Sequence, residues 1–138
     1  QRQRSGYMQF FRQVGTAEAG LSANDFAALR NIWSASSPAQ VEEYVRVLKQ
    51  PGALTGALNW YRGALTEGRQ PIGRISVPTV MIWGNQDQAI GRPGVAATPP
   101  LMAGPYRLVE LDAGHWLIQE AEADVLRETL AHIEQYAD

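Results

Sequence analysis

The stretch 77-VPTVMIWGNQD-87 decides the fold that we predict, together with a second stretch, 106-YRLVELDAGHW-116. Each begins with a short run of apolar and β-branched residues, which suits a buried strand and is too short for a helix. Each run then passes into turn residues, and the turns carry Asp87 and His115. Because the carboxyl ends of parallel strands meet at one edge of a sheet, where open α/β sheets bind ligands, we expect these two side chains to lie close together.

The pairing of an acid with a histidine predicts part of a catalytic triad. An imidazole can take a proton near neutral pH, and a carboxylate fixes its tautomer and stabilises the imidazolium that forms. Taken alone, Asp87 and His115 would each be interpreted as ordinary loop residues. Their placement after successive strands, with the acid before the histidine, favours function. The sequence contains no candidate for the nucleophile of such a triad.

Other carboxylates lie near the two strand ends. Asp112 competes with Asp87 for the role of the acid, but it lies on the same loop as His115, which makes it the less suitable partner. Glu110 and Glu120 are interpreted as a strand-edge carboxylate and a turn carboxylate.

The first half of the chain is predicted to be helical. Apolar residues at three- and four-residue spacing predict helices over residues 22–34, 38–49 and 53–65, with Ser22 and Ser37 as the caps of the first two. The polar stretch 66–75, which contains Gly and Pro, predicts a boundary.

Two regions are therefore expected, residues 1–70 and residues 71–138. In the second region a final amphipathic helix is predicted over residues 121–136, with His132 on its solvated face. The predicted fold class is α/β, with a helical region in front of a partial parallel sheet that does not form a complete domain.

Composition excludes several classes of function. The chain has 138 residues, of which 45% are hydrophobic and 19% charged, and its formal net charge of −2 gives no reason to expect nucleic acid as a partner. No apolar run reaches the ~20 residues that a membrane span needs. The absence of cysteine excludes disulfides and suits a reducing cytoplasm. Without an HExxH motif, a P-loop or a GxGxxG motif, we expect neither a metal nor another cofactor.

The motifs at the strand ends resemble the C-terminal part of an α/β-hydrolase. In that family the acid follows a strand in a WGxxD turn, here residues 83–87, and the histidine follows the last strand in a GHW turn, here residues 114–116, with Glu120 shortly after. Residues 58–62 (LNWYR) resemble the lid motif of the epoxide hydrolase branch, and residues 7–15 resemble a second lid region more loosely. The family's HGxP oxyanion loop and its nucleophile elbow lie upstream, so we expect this chain to be a piece of a longer protein.

The resemblance implies that an epoxide is hydrolysed to a diol through an aspartyl ester. An upstream aspartate would attack the epoxide, and Tyr61 and Tyr7 would donate hydrogen bonds to its oxygen. His115, oriented by Asp87, would then activate water. Trp60 and Trp116 would line the pocket or pack against the core. The implied partners are a small apolar epoxide and the missing N-terminal half of the same fold.

Three alternatives remain open at this point. A haloalkane or haloacid dehalogenase of the same fold would use the same acid and histidine, and a serine esterase would differ in its nucleophile. The chain could also be a non-catalytic fragment or an interaction module. Without the nucleophile, the oxyanion loop and most of the sheet, the isolated chain is expected to be inactive and poorly stable.

Overall fold

The computed structural model describes residues 6–63 and 73–137, which divide into two compact units. Residues 6–63 form the helical unit and residues 73–137 form the α/β unit. Most of the predicted boundary at residues 66–75 lies outside the described residues. That the helical unit is a lid stays a prediction.

Four helices make up the helical unit: α1 (Tyr7–Phe11), α2 (Thr16–Ile32), α3 (Pro38–Leu48) and α4 (Ala53–Gly63). The predicted start of α3 is confirmed, because the Gln40 side chain accepts the Ser37 N–H at 2.8 Å and the Ser37 hydroxyl accepts the Gln40 N–H at 3.3 Å. This reciprocal capping satisfies two backbone donors that a helix start leaves unpaired. The predicted helix over residues 53–65 is observed as α4, and its last two residues lie outside the described part of the chain.

The predicted start of the preceding helix at Ser22 is wrong. Helix α2 begins at Thr16, where the Glu18 carboxylate accepts the Gly15 N–H at 2.8 Å. The Ser22 hydroxyl instead donates to the Ala19 carbonyl at 3.4 Å, so it does not cap a helix.

A left-handed turn interrupts α2 directly after this point. Residues 24–26 have φ angles of 50°, 55° and 62°, which are costly for residues other than glycine. The turn is held by Asp25, which pairs with Arg30 at 2.7 Å and with Lys49 at 2.5 Å. It also turns Phe26 into the interior, where the side chain is buried.

The core of the helical unit is built from helices α2, α3 and α4. Its buried members are Ala17, Leu21, Phe26, Leu29, Val45 and Leu58, with Phe10, Phe11, Trp33, Leu48 and Leu54 packed against them. The unit therefore has a hydrophobic core drawn entirely from its own residues.

One ion pair fastens α4 to the two helices at the start of this unit. The Arg62 guanidinium contacts both oxygens of Glu18, at 2.9 and 3.0 Å, and donates to the Phe11 carbonyl at 3.0 Å. The two side chains are only 15% and 20% exposed. The hydrogen bond from Arg62 is the main reason that the pKa of Glu18 falls from 4.5 to about 2.

The α/β unit contains two strands, β1 (Thr79–Gly84) and β2 (Tyr106–Leu111), which pair in parallel from Thr79↔Tyr106 to Gly84↔Leu111. The predicted parallel pairing is confirmed. The crossover between the strands includes a short helix, α5 (Arg92–Ala96), and a 3₁₀ turn (Pro99–Leu101). After β2 come a one-turn helix, α6 (Leu117–Glu120), and the final helix, α7 (Glu122–Tyr136), close to its predicted bounds.

Helix α7 is joined to the sheet by polar contacts. Arg107 of β2 pairs with Glu128 at 2.6 Å, and Nε2 of His132 lies 3.3 Å from the Pro78 carbonyl oxygen. His132, which was predicted to lie on a solvated face, is half-buried, and its contact with the segment before β1 is itself exposed. The apolar residues Leu126, Leu130 and Ile133 of the same helix are exposed. No helix in the described parts of the chain combines the length and the apolar character that a membrane span requires.

We expect truncation of Leu58 to destabilise the protein far more than truncation of Trp60 on the same helix. Leu58 is 2% exposed and Trp60 is 78% exposed. Leu58→Ala should lower the free energy of unfolding by about 2–5 kcal/mol because it leaves a cavity. Trp60→Ala should change it by about 0.5 kcal/mol or less. Urea denaturation followed by circular dichroism measures both values, and equal losses would show that the wrong face of α4 has been assigned to the core.

The Glu18–Arg62 pair should make stability depend on pH. Because folding lowers the pKa of Glu18 from 4.5 to about 2, the stabilisation is present above 4.5 and is lost as the pH falls towards 2. Glu18→Gln should therefore be less stable than the unaltered protein at neutral pH, and the difference should shrink below pH 4.5. Glu43, paired with Arg46 where the side chains are 56% and 65% exposed, is the matched control. Glu43→Gln should cost less at neutral pH, since exposed pairs contribute little. A Glu18→Gln deficit that does not change with pH would contradict this account.

Candidate active site

The loops that follow β1 and β2 are joined to each other by backbone hydrogen bonds. The Asn85 N–H donates to the Leu111 carbonyl at 2.9 Å, and the Gln86 N–H donates to the Ala113 carbonyl at 3.0 Å. The parallel pairing of the strands thus continues for two residues beyond the sheet, which brings the Asp87 turn beside the loop that carries His115.

Glycine at position 84 is required by this close approach. A Cβ atom there would lie 2.3 Å from the carbonyl oxygens of both Ala113 and Gly114, a distance that real Cβ atoms do not reach. The glycine of the WGxxD turn therefore lets the histidine loop pack directly against the end of β1.

Asp87 and His115 form the hydrogen-bonded pair that their positions predicted. Nδ1 of His115 lies 3.0 Å from Oδ2 of Asp87. Asp87 is 6% exposed, whereas the His115 side chain is 42% exposed. The carboxylate is thus enclosed by protein, while the imidazole can be reached from solvent.

Hydrogen bonds from His115 and from two backbone N–H groups favour the ionised form of the Asp87 carboxyl group. Its Oδ1 accepts the N–H groups of Ala89 at 2.7 Å and Ile90 at 2.8 Å. Burial acts to raise the pKa of Asp87, but the hydrogen bonds from His115 and from these two N–H groups outweigh it and lower the pKa below 3.8. Because an ionised carboxylate can only accept, Nδ1 of the imidazole donates, and Nε2 of the neutral ring is left as the basic nitrogen.

Trp83 and Arg92 hold the Asp87 loop against the sheet. The indole N–H of Trp83 donates to the Ile90 carbonyl at 3.0 Å, and the Arg92 guanidinium lies 4.9 Å from the centre of the indole ring. Arg92 also pairs with Glu110 of β2 at 2.6 Å. Glu110, which was interpreted as a strand-edge carboxylate, therefore helps to hold the Asp87 loop. Sequence reasoning missed Arg92, because nothing local marks it as the partner of a residue on the neighbouring strand.

Asp112 has a different partner from His115. The side-chain amide of Gln86 donates to Oδ1 of Asp112 at 2.7 Å, which adds a side-chain bond between the two loops. Nδ1 of the imidazole is paired with Asp87, so the geometry favours Asp87 over Asp112 as the acid.

Two further residues lie close to the histidine. The Trp116 ring is 5.2 Å from the imidazole centre in an edge-to-face arrangement. The Glu120 carboxylate accepts the N–H groups of Gly114 at 2.5 Å and of Trp116 at 3.2 Å. Glu120 was interpreted only as a turn carboxylate, and its spacing from His115 was the one signal for a closer role.

The two lid tyrosines predicted from the sequence lie next to each other in the helical unit. The rings of Tyr7 and Tyr61 are 6.0 Å apart, edge to face, and Phe11 contacts both at 5.2 and 4.9 Å. Tyr7 is 43% exposed and Tyr61 is half-buried. Trp60 is exposed in this unit, so it does not belong to the unit's core. Catalytic roles for the tyrosines and pocket roles for Trp60 and Trp116 stay predictions.

Known proteins resemble the chain in sequence. No family model matches it. It is 34% identical over 130 residues to the AB hydrolase superfamily protein YfhM of Bacillus subtilis, a match that covers 88% of this chain and 45% of that protein. It is 30% identical over 129 residues to epoxide hydrolase 4 of Mus musculus, covering 85% of this chain and 36% of that protein. The chain therefore spans less than half the length of these curated relatives.

The fold has close counterparts among solved structures. An epoxide hydrolase from Bacillus megaterium, crystallised with an inhibitor, matches with a TM-score of 0.81 and 18% sequence identity, over 96% of this chain and 52% of that one. At this low sequence identity the structural match shows the fold alone. The relatives found by sequence show the family. The chain belongs to the α/β-hydrolase superfamily and corresponds to the C-terminal part of an epoxide hydrolase-like member.

Proposed function

We propose that this chain supplies the acid and histidine of an enzyme that hydrolyses epoxides to diols through an aspartyl ester. The observation that carries the proposal is the 3.0 Å contact between His115 and Asp87, a carboxylate whose pKa is lowered. The similarity to proteins named epoxide hydrolases supports the choice of substrate. The nucleophile and the oxyanion donors would come from an N-terminal half of the same fold, which is the partner that we propose for this chain.

The first step of the proposed reaction opens the epoxide ring. A carboxylate oxygen of the nucleophile attacks a ring carbon, the carbon–oxygen bond breaks, and the oxygen leaves with the electron pair. Tyr61 and Tyr7 donate hydrogen bonds to this oxygen and stabilise its developing negative charge. One of these phenols then gives its proton to the oxygen, so the step yields a hydroxyalkyl ester on the enzyme and a tyrosine phenolate.

The second step hydrolyses that ester and depends on His115. Its Nε2 takes a proton from water while the water oxygen attacks the ester carbonyl. The imidazolium that forms is stabilised by the ionised Asp87 at Nδ1. When the tetrahedral intermediate collapses, the imidazolium gives its proton to the leaving alkoxide oxygen and the diol departs. The second proton of the water passes from the nucleophile's carboxyl group to the phenolate, which restores the carboxylate and the tyrosine.

The helical unit is proposed to serve as the lid, within residues 1–70. Its two tyrosines share one aromatic cluster with Phe11, and the Arg62–Glu18 pair fixes the helices that carry them. Two donors held together in this way suit the recognition of one oxygen atom. Trp116, beside the imidazole, and the exposed Trp60 are the proposed apolar walls of the substrate pocket.

Replacing His115 should stop the reaction at the ester. In the enzyme that joins this chain to the nucleophile-bearing half, His115→Gln should still form the covalent adduct, because ring opening does not use the histidine. Hydrolysis should slow by about 10²–10⁴-fold, which is the usual contribution of a general base. Intact-protein mass spectrometry after mixing with styrene oxide should show an adduct of one substrate molecule. His132→Gln, which alters the chain's other histidine, is the control and should leave no lasting adduct.

Two outcomes would overturn the proposed function. Normal epoxide turnover by His115→Gln would show that the histidine is not the base. If the enzyme ignores epoxides but releases halide from haloacids or haloalkanes, a dehalogenase that uses the same Asp87–His115 pair replaces the proposal.

Removing the tyrosine hydroxyls should affect the first step instead. In the His115→Gln background, Tyr61→Phe should slow adduct formation by about 10²-fold, since one donor to the developing oxyanion is lost. Tyr7→Phe should act in the same direction. The rate is measured by quenching the reaction at intervals and determining the fraction of adduct by intact-protein mass spectrometry. Tyr44→Phe, in α3, removes a hydroxyl elsewhere in the helical unit and should leave the rate unchanged. Unchanged rates in both Tyr61→Phe and Tyr7→Phe would remove the tyrosines from the mechanism.

A further inference from the structure

The Glu120 carboxylate accepts backbone hydrogen bonds on both sides of His115. Its Oε2 accepts the N–H of Gly114, the residue before the histidine, at 2.5 Å. Its Oε1 accepts the N–H of Trp116, the residue after it, at 3.2 Å. The two oxygens of one side chain therefore hold the N–H groups of the two residues next to the histidine.

The short helix α6 places Glu120 for this contact. The backbone N–H groups of Gln119 and Glu120 both donate to the Trp116 carbonyl at 2.9 Å, which folds the chain back towards the loop. This turn starts at Trp116, at the end of the histidine loop, and brings the Glu120 carboxylate back to that loop. A shift of the turn would therefore also move the loop.

Gly114 is shaped to receive the carboxylate. A Cβ atom at this position would lie 2.8 and 2.9 Å from the two oxygens of Glu120. Any larger residue would push the carboxylate away from the N–H groups that it accepts. Gly114 and Glu120 therefore work as one device, which we call the clasp.

We propose that the clasp holds His115 at hydrogen-bonding distance from Asp87, so that Glu120 is a positioning residue for ester hydrolysis. This inference rests on the function proposed above. Within this chain, the imidazole is held by its own backbone, by Asp87 at Nδ1 and by the neighbouring Trp116 ring. A displacement of about 1 Å in a catalytic group can cost ~10² in rate, and hydrogen bonds to an ionised acceptor are among the stronger ones.

A glutamine at position 120 has nearly the same shape but cannot complete the clasp. Its one carbonyl oxygen can replace one carboxylate oxygen, while its NH₂ group would face the second backbone N–H. Glu120→Gln therefore releases one side of the loop without creating a cavity. Glu122→Gln is the matched control, because Glu122 is an exposed carboxylate in the first turn of the next helix.

The test separates the two chemical steps in the enzyme that joins this chain to the nucleophile-bearing half. With styrene oxide as substrate, Glu120→Gln should slow ester hydrolysis by about 10–10²-fold and leave the rate of ester formation unchanged. Because kcat/KM then reports only binding and ester formation, kcat and KM should fall together while kcat/KM stays constant. Glu122→Gln should match the unaltered enzyme.

A second variant tests whether Gly114 and Glu120 act together. Gly114→Ala should reproduce the defect of Glu120→Gln, because its methyl group displaces the carboxylate. The double variant should be no slower than the slower single variant, since both changes break the same contact. Defects that multiply would show that the two residues act separately and would overturn the clasp.

The outcomes distinguish the clasp from the proposed function. If His115→Gln accumulates the ester but Glu120→Gln shows unaltered kinetics, the clasp is wrong and the function stands. If kcat and kcat/KM of Glu120→Gln fall by the same factor, the substitution has only lowered the fraction of folded enzyme. That result would overturn the positioning role. If His115→Gln forms no lasting ester, the proposed function itself fails.

Discussion

The register of two parallel strands is the constraint on which the site depends. Pairing Gly84 with Leu111 ends both strands at one level, and the backbone hydrogen bonds continue into the loops beyond. A glycine at the end of β1 makes this continuation sterically possible. Asp87 and His115 come within 3.0 Å of each other because the backbone brings their loops together, and their mutual attraction then refines the contact. A shift of one residue in the register would separate them.

The carboxylates around the histidine have different tasks because they have different partners. Asp87 is enclosed and accepts N–H groups from its own turn, which leaves its second oxygen for the imidazole. Asp112 accepts from Gln86 and joins the loops, and Glu120 holds the backbone beside the histidine. Residue type alone does not separate these tasks. The identity of the donors that each carboxylate accepts does.

Local patterns in the sequence determined the two strands, their order and the helices α3, α4 and α7. Runs of β-branched residues and apolar residues at helical spacing are properties of neighbouring residues, so they can be recognised without knowledge of the fold. The capping of α3 by Ser37 and Gln40 is of the same kind, since both partners lie within one turn. The acid and the histidine could be predicted because each follows its own strand, and parallel strands share an edge. Their catalytic role, like the roles of the tyrosines, stays a prediction.

Only the tertiary structure decided the contacts between residues that are distant in sequence. Arg62 and Glu18 are separated by 44 residues, and Gln86 and Asp112 by 26, so no local pattern links them. The left-handed turn at residues 24–26 was missed for a related reason: its cost is offset by Arg30, by Lys49 just after α3 and by the burial of Phe26. Glu120 shows most clearly what the sequence alone does not predict. Its distance from His115 along the chain was visible in the sequence, but the position of its two oxygens against the N–H groups of Gly114 and Trp116 depends on how α6 folds back, which only three-dimensional packing determines.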